Sequence, residues 1–474
     1  MRDKTMSHLS SESIFKKAPI IHTLKKRIAI ITPFQKFLKK MVSGSFPLMI
    51  AACSAIIWAN LSPESYHTFR ENKLSIGLGH FHIEKSLAHW IDEALMALFF
   101  FSVGLEIKRE VMVGELASMK KAMLPVMAGI GGMVLPALIY TAFNYNLATS
   151  HGWGIPMATD IAFSLAILAI LGKRIPVGVR IFLTALAIAD DLGAVMVIGL
   201  FYTKAISINY LFTALFFLGA LLIANLLWVR WTIVYAILGI LMWFAILKSG
   251  IHATVAGVLV ALFIPASGKY DTQTFIDKVK AYLKNFECGN TGESEDDGNS
   301  ECGYTILLNK THLNSVHNIE QACHEVETPL QRLEYGIHSW VSYLILPLFA
   351  LANAGVVLKG IPLTESLMNP VALGIIFGLV FGKPIGILLF TWISVKVLKT
   401  NLHKGVYWSH LIGASILAGI GFTMSLFIAG LSFDSPQTME IAKLGIIIGS
   451  IVSAVLGLGF LLYATKREGV RDVK

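Results

Sequence analysis

From Pro176 to Phe201 the chain is a nearly unbroken apolar run, and in its middle, in Ala187-Ile188-Ala189-Asp190-Asp191-Leu192-Gly193, stand two adjacent carboxylates. A run of that length spans a bilayer, which takes ~20 helical residues for ~30 Å of hydrocarbon. Each carboxylate at the membrane centre costs on the order of 2.5–3.5 kcal/mol on insertion scales, so the pair must be compensated by a partner, a proton or an ion. Neighbouring residues on a helix diverge by about 100°. One buried salt bridge therefore cannot serve both, and something has to visit the second.

That run is one of twelve. Apolar stretches fall at about 46–62, 90–107, 122–144, 153–172, 176–202, 208–227, 230–247, 249–266, 339–358, 369–396, 407–431 and 441–464. A length of 474 residues would by itself suggest two or three soluble domains. Composition overrules that: 55% of the chain is hydrophobic and 15% charged, against about 25% charged in soluble proteins. The fold class expected is an all-α membrane protein of about twelve transmembrane helices. The net charge of +9 would point to nucleic acid in a soluble protein; here it is sorted by side, and no nucleic-acid partner is implied. Loops on the N-terminal side carry Lys108, Arg109, Lys120, Lys121, Lys173, Arg174, Arg230, Lys396, Lys399, Lys404, Lys466 and Arg467. The opposite loops carry Arg70, Lys73 and Lys85 together, and otherwise single residues such as Lys204, Lys248, Lys359 and Lys443. An even number of spans puts both ends on one side, and the basic excess makes that side the cytoplasm.

The expected segments are a basic cytoplasmic tail (1–45), eight spans (46–266), a polar cytoplasmic insertion (267–330), four spans (331–464) and a C-terminal tail (465–474). The first tail shows no cleavable signal peptide, and Phe34 to Val42 reads as a basic amphipathic helix on the membrane surface. The insertion contains Glu287-Cys288-Gly289-Asn290-Thr291-Gly292-Glu293-Ser294-Glu295-Asp296-Asp297-Gly298, a composition that cannot bury enough apolar surface to order itself, and disorder is expected. Its Cys288, Cys302, His312, His317, Cys323 and His324 fit no standard zinc spacing, and no cofactor is expected. In the first outer loop, Leu74 to Ile83 alternates around glycines and reads as a short β-hairpin. Such a hairpin is marginal alone, so a homodimer through 74–83 is expected.

The fourth span opens Trp153-Gly154-Ile155-Pro156-Met157-Ala158-Thr159-Asp160, where a lipid-facing helix would carry leucines, and the eleventh contains Gly413, Gly419, Gly421, Thr423 and Ser425. Close helix packing accounts for glycines alone. Hydroxyls and a carboxylate at the same places point instead to two helices interrupted inside the protein. Crossed at the midplane, they would gather positive N-termini at one place and negative C-termini at another, with Asp160 compensating the first and Lys383 the second. Lys383, in Phe381-Gly382-Lys383-Pro384, lies too deep to reach water and needs an acid, Asp190 or Asp160. Glu106 and Glu110 share one helix face at the cytoplasmic end of the second span, with Lys108 and Arg109 between them, where charges often serve as interfacial anchors. Glu93, near the other end of that span, is placed to line an outer entrance, and His252 reads as a hydrogen-bonded core histidine.

Taken together, Val103-Gly104-Leu105-Glu106-Ile107-Lys108-Arg109-Glu110, Ala158-Thr159-Asp160-Ile161-Ala162-Phe163, the Asp190-Asp191 motif, Phe381-Gly382-Lys383-Pro384 and Gly419-Ile420-Gly421-Phe422-Thr423-Met424-Ser425 resemble the NhaA-type sodium/proton antiporters of bacterial inner membranes. The resemblance runs from about Gly44 to Ala464. Inverted repeats and discontinuous helices are established features of this family, so they come with the resemblance and not from spacing alone. It implies two inverted three-helix repeats, about 122–202 and 369–464, whose interrupted helices cross. It further implies Asp191 as main cation ligand and proton carrier, with Asp190 beside it in the Na⁺ site and paired with Lys383. Thr159 and Asp160 match the crossing, and Glu106, Glu110, Arg332, Glu334 and His338 match a cytoplasmic cluster linked to pH activation. The chain departs from the family's best-known member, which has histidine at the position of Tyr335 and aspartate at that of Glu93.

The function so implied is electrogenic, pH-regulated exchange of cytoplasmic Na⁺ or Li⁺ for external H⁺ by a secondary transporter solvated by membrane lipid, not by an enzyme. Carboxylate and hydroxyl oxygens suit such hard cations. No G-x-x-x-x-G-K-[ST] run is present, so the proton gradient is the expected driving force. An intramembrane aspartyl protease would need its acids on separate facing helices, and in a passive channel Lys383 would repel cations.

Overall fold

The computed structural model describes residues 33–469 apart from 79–80, 204–205, 269, 285–309, 359–361, 401 and 403–404. Among the described residues the chain is helical except for connections and one antiparallel hairpin, Lys73–Leu78 with Phe81–Ser86, which pairs Lys73 with Ser86 and Leu78 with Phe81. Eight helices are long and apolar enough to cross a membrane, or ten if each of two bent pairs is one span. These correspond to ten of the twelve apolar stretches. The other two, 90–107 and 249–266, are compromised individually and pack on each other. The first is divided by a wide π turn, Ile91–Leu95, before the helix Met96–Val113, and the second is the 11-residue helix Ala253–Phe263. Their backbones meet so closely that a Cβ on Gly257 would strike the Ala97 carbonyl and one on Gly104 the Ala261 methyl, the small-residue packing that membrane helices favour.

Two further π turns, Val341–Ile345 and Gly378–Gly382, lie within long spans. Pro347 and Pro384 follow them closely. A proline inside a helix offers no N–H and pushes the carbonyl four residues back out of line, which is one recognised cause of such distortion. The last of these turns ends directly at Lys383.

The two interrupted helices are present. Ala148–Met157 is a 3₁₀ helix, residues 158–160 are extended, and Ile161–Ile170 resumes as α-helix. Trp408–Ala418 and Phe422–Ser432 meet at a 43° bend. Each is the middle member of a three-span group: Met119–Phe143 and Val177–Phe201 flank the first, and the span Pro370–Lys396 and the helix Pro436–Gly469 flank the second. The groups are joined by a glycine seam, where a Cβ on Gly131 would strike the Gly386 carbonyl and the converse.

Two expectations need correction. Residues 33–45 are not a separate surface helix, because Pro33–Leu61 is one continuous helix running into the first span; residues 1–32, with the tail's first basic residues, lie outside the described residues. The insertion is not wholly without structure either. Thr272–Lys284 and Lys310–Val326 are helices packed on one another. Apolar residues recur at helical spacing on both, and the half-buried Phe275 and Val279 of one and the half-buried Ile319 and buried Ala322 of the other form the stripe that the overall composition concealed. Asp271 begins the first helix by accepting from the Thr274 amide, and the Thr274 contacts hold its carboxyl below the usual range. The acidic, glycine-rich run and Cys288 and Cys302 lie outside the described residues. The insertion's two ends touch: Gly268 abuts the Val326 carbonyl, and the Leu330 amide donates to the Pro265 carbonyl at 3.1 Å.

Candidate functional site

Breaking a helix in a membrane exposes backbone groups that water cannot satisfy, so side chains must. Asp160 serves both N-terminal ends. One of its oxygens accepts from the Phe163 amide at 3.1 Å, capping Ile161–Ile170. The other accepts from the Thr423 amide at 3.1 Å and the Thr423 hydroxyl at 2.5 Å, at the start of Phe422–Ser432. A negative charge there also meets the positive ends of both helix dipoles. The C-terminal ends are treated differently from expectation. Lys383 Nζ donates to the Met157 carbonyl, at the end of the first half-helix. The other half-helix is closed without it: Ala418 O accepts from Thr159 Oγ1 at 3.0 Å, Ile420 O from the Asp160 amide at 2.6 Å, and Leu417 O from Ser164 Oγ at 3.0 Å. Lys383 thus compensates one helix end, not two.

Its second role is the predicted ion pair. Lys383 Nζ lies 2.9 Å from Asp190 Oδ2, which also accepts from Thr159 Oγ1 at 2.7 Å. Thr159 has one hydroxyl proton for both Asp190 and Ala418. Asp190 Oδ1 and both oxygens of Asp191 make no hydrogen bond to any described residue, although each aspartate is only 1% exposed. Asp160, Asp190 and Asp191 set against Lys383 leave two uncompensated negative charges when all are ionised. Protons or a cation must supply the balance. The donor set available, carboxylate and hydroxyl oxygens, fits Na⁺.

Asp191 opens on a cavity of about 70 Å³ that Glu106 and His338 also line. Beyond it the glutamates gather around Arg109, which lies 3.8 Å from Glu106 and 3.0 Å from Glu110 and is also paired with Glu334. Arg109 is the hub; at the sequence level it read as an anchor, although its place three residues after Glu106 was a signal. Among the described residues the Arg332 guanidinium joins none of these ion pairs.

Glu93 is not brought to the crossing. It lines a separate cavity of about 520 Å³ with Asp92, His252, Asn353 and Asp434, where Asn353 Nδ2 donates to Asp92 at 2.7 Å. Lys443, by sequence an outer-loop lysine, is the other buried cation among the described residues. It is 1% exposed, inside the helix Pro436–Gly469, and holds the Gly355 carbonyl and Glu440, each at 3.0 Å. Among the described residues no group of three His, Cys, Asp or Glu side chains is disposed to hold a metal ion.

A family model described as Na⁺/H⁺ antiporter 1 matches residues 35–461. The chain is 45% identical over 436 residues to Na(+)/H(+) antiporter NhaA 1 of Saccharophagus degradans, covering 91% of this chain and 92% of that protein. To Na(+)/H(+) antiporter NhaA 2 of Syntrophotalea carbinolica it is 45% identical over 445 residues, 93% and 99% of the two. To Na(+)/H(+) antiporter NhaA of Escherichia coli strain CFT073 it is 44% identical over 431 residues, 90% and 97%. The match takes in both interrupted helices and both aspartates, and the chain belongs to the Na⁺/H⁺ antiporter 1 family.

Proposed function

We propose that this multi-pass membrane protein is a secondary transporter that exchanges cytoplasmic Na⁺, or Li⁺, for external H⁺ across a bacterial inner membrane, with both termini in the cytoplasm. The observation that carries the reading is Asp191: a buried carboxylate with both oxygens uncommitted, beside an Asp190 already engaged by Lys383 and Thr159. A cation and protons compete for the same two uncompensated charges, so loading one expels the other. Movement of one helix group against the other exposes the site alternately to each side, and with more than one proton per cation the cycle is electrogenic. The Arg109-centred cluster, reached from Asp191 through Glu106 and His338, supports a pH-responsive control on the cytoplasmic side. The cavity lined by Glu93 then serves as the outer entrance, and the edge of the hairpin Lys73–Leu78 and Phe81–Ser86 offers itself to a second copy in the surrounding lipid. The insertion 267–330 lies on the cytoplasmic face.

Everted vesicles test the exchange. Sodium added after a pH gradient has formed discharges it, as read by dequenching of a pH dye, and the response varies across a pH series. A sodium current with no proton movement makes the protein a channel instead.

A further inference from the structure

Hydroxyls on membrane helices ordinarily bond back to the carbonyl four residues earlier, as Thr141 does to Ala137 O at 2.8 Å and Ser432 to Ile428 O at 2.7 Å. Ser102 and Ser342 depart from this habit. Neither side chain makes a hydrogen bond to any described residue, and both line the cavity of about 70 Å³ that Asp191 also lines. Their positions are matched on two different helices. Ser102 lies four residues before Glu106 in Met96–Val113, and Ser342 four residues after His338, within the wide turn Val341–Ile345. Residues four apart on a helix share a face, one turn apart. Each serine therefore stands one turn deeper than a titratable residue, on the way to Asp191.

We propose that Ser102 and Ser342 are cation ligands on the cytoplasmic approach: their hydroxyl oxygens replace water around Na⁺ or Li⁺ between the Glu106–His338 level and Asp191. A hard monovalent cation is held by neutral and anionic oxygens alike. A cavity of this size takes the ion with only a few waters. An ion entering it must exchange part of its shell for protein oxygens, and two uncommitted hydroxyls in the cavity that the Asp191 carboxylate also lines supply them without adding charge. The inference rests on the exchange reading above and adds to it the residues that set cation affinity on the inner side.

The test compares wild type with Ser102→Ala, Ser342→Ala and the double variant, measuring Na⁺- and Li⁺-driven dequenching at saturating and limiting cation, and Na⁺ affinity of purified protein by calorimetry. Each alanine is expected to raise the apparent KM about three- to ten-fold, with the saturating rate and the pH profile little changed, and the double variant to raise it further. Ser102→Thr and Ser342→Thr, which restore the hydroxyl, return the KM towards wild type. A double variant with wild-type KM for both ions and wild-type calorimetric Na⁺ affinity overturns the proposal, as does a loss of saturating rate at unchanged KM. If the double variant inserts poorly, the single alanine and threonine variants carry the same comparison. Absence of sodium-driven proton flux in the wild-type protein removes the exchange reading itself, and is told apart because calorimetry still reports whether the serines bind the ion.

Discussion

Among the described residues two lysines are wholly buried, and each holds one backbone carbonyl and one carboxylate. Lys383 takes Met157 O and Asp190; Lys443 takes Gly355 O and Glu440. The chemistry is the same and the settings differ. Asp190 comes from another helix, and its side chain is as inaccessible as that of Lys383, both at 0%. Glu440 lies three residues before Lys443 on the same helix and keeps 26% of its side chain accessible. Burying a pair costs several kcal/mol per ion, recovered only when both partners stay in place. The Lys383 pair therefore ties three spans together at the helix break and cannot lose a member cheaply. The Lys443 pair fastens one helix to the 355–357 segment, where Glu440 also accepts from the Val357 amide at 3.2 Å, and it can borrow water. Beside the first pair, and not the second, stands a buried acid with no hydrogen-bond partner among the described residues, Asp191, which is why we propose that region as the transport site.

The largest effect expected is at that acid. Asp191→Asn keeps the shape but can neither carry a proton nor neutralise a cation, so sodium-driven dequenching should fall to the level of vesicles lacking the protein, with insertion and thermal stability retained. Wild-type exchange by a well-inserted Asp191→Asn protein would break the comparison outright.

Next comes Lys383→Gln, which strands Asp190 and the Met157 carbonyl. The loss of stability should be about 3–5 kcal/mol, the range for breaking a buried pair, read as a lowered melting temperature in detergent. Measuring the membrane-potential dependence of exchange on the same preparation separates the roles. Unchanged stability with lost voltage dependence would make the lysine a proton carrier first and a structural cation second.

Lys443→Gln sharpens the contrast. Its carboxylate partner reaches water, so the cost should be about 1.5–3 kcal/mol, the scale of a hydrogen bond to a charged group, with exchange intact. A loss matching that of Lys383→Gln would mean that accessibility does not distinguish the two pairs.

The smallest effect is predicted for removing the paired helices of the insertion. Since Gly268 already abuts the Val326 carbonyl, joining those positions through a short linker should leave Met96–Val113 and Pro329–Trp340 undisturbed and exchange in place, with at most a displaced pH profile. Complete loss of exchange in a properly inserted deletion protein would assign the insertion a role in transport.

Much of this was legible in the residues before any fold. Hydropathy located the membrane segments, because lipid demands a continuous apolar run whatever the tertiary structure. Glycine, threonine and aspartate marked both helix breaks, because an unsatisfied backbone group in hydrocarbon must have a polar side chain at hand. The cost of a buried charge singled out Asp190, Asp191 and Lys383 by position alone. What needed the tertiary structure was partnership. The residues alone left Lys383 to Asp190 or Asp160, and only the family resemblance chose Asp190; nothing in the order of residues says that Thr159 and Asp160 close the second half-helix, or that Arg109 gathers three glutamates. These contacts join segments far apart in the chain, and distance along the chain carries no information on which oxygen faces which nitrogen. Lys443 escaped notice for the same reason in reverse: a lysine near a span's end ordinarily reaches water, and only the packing of its helix against Gly355 denies it that path. Local chemistry named the groups that need compensation, and the long-range packing of helices decided which of them, Asp191, is left without a hydrogen-bond partner among the described residues.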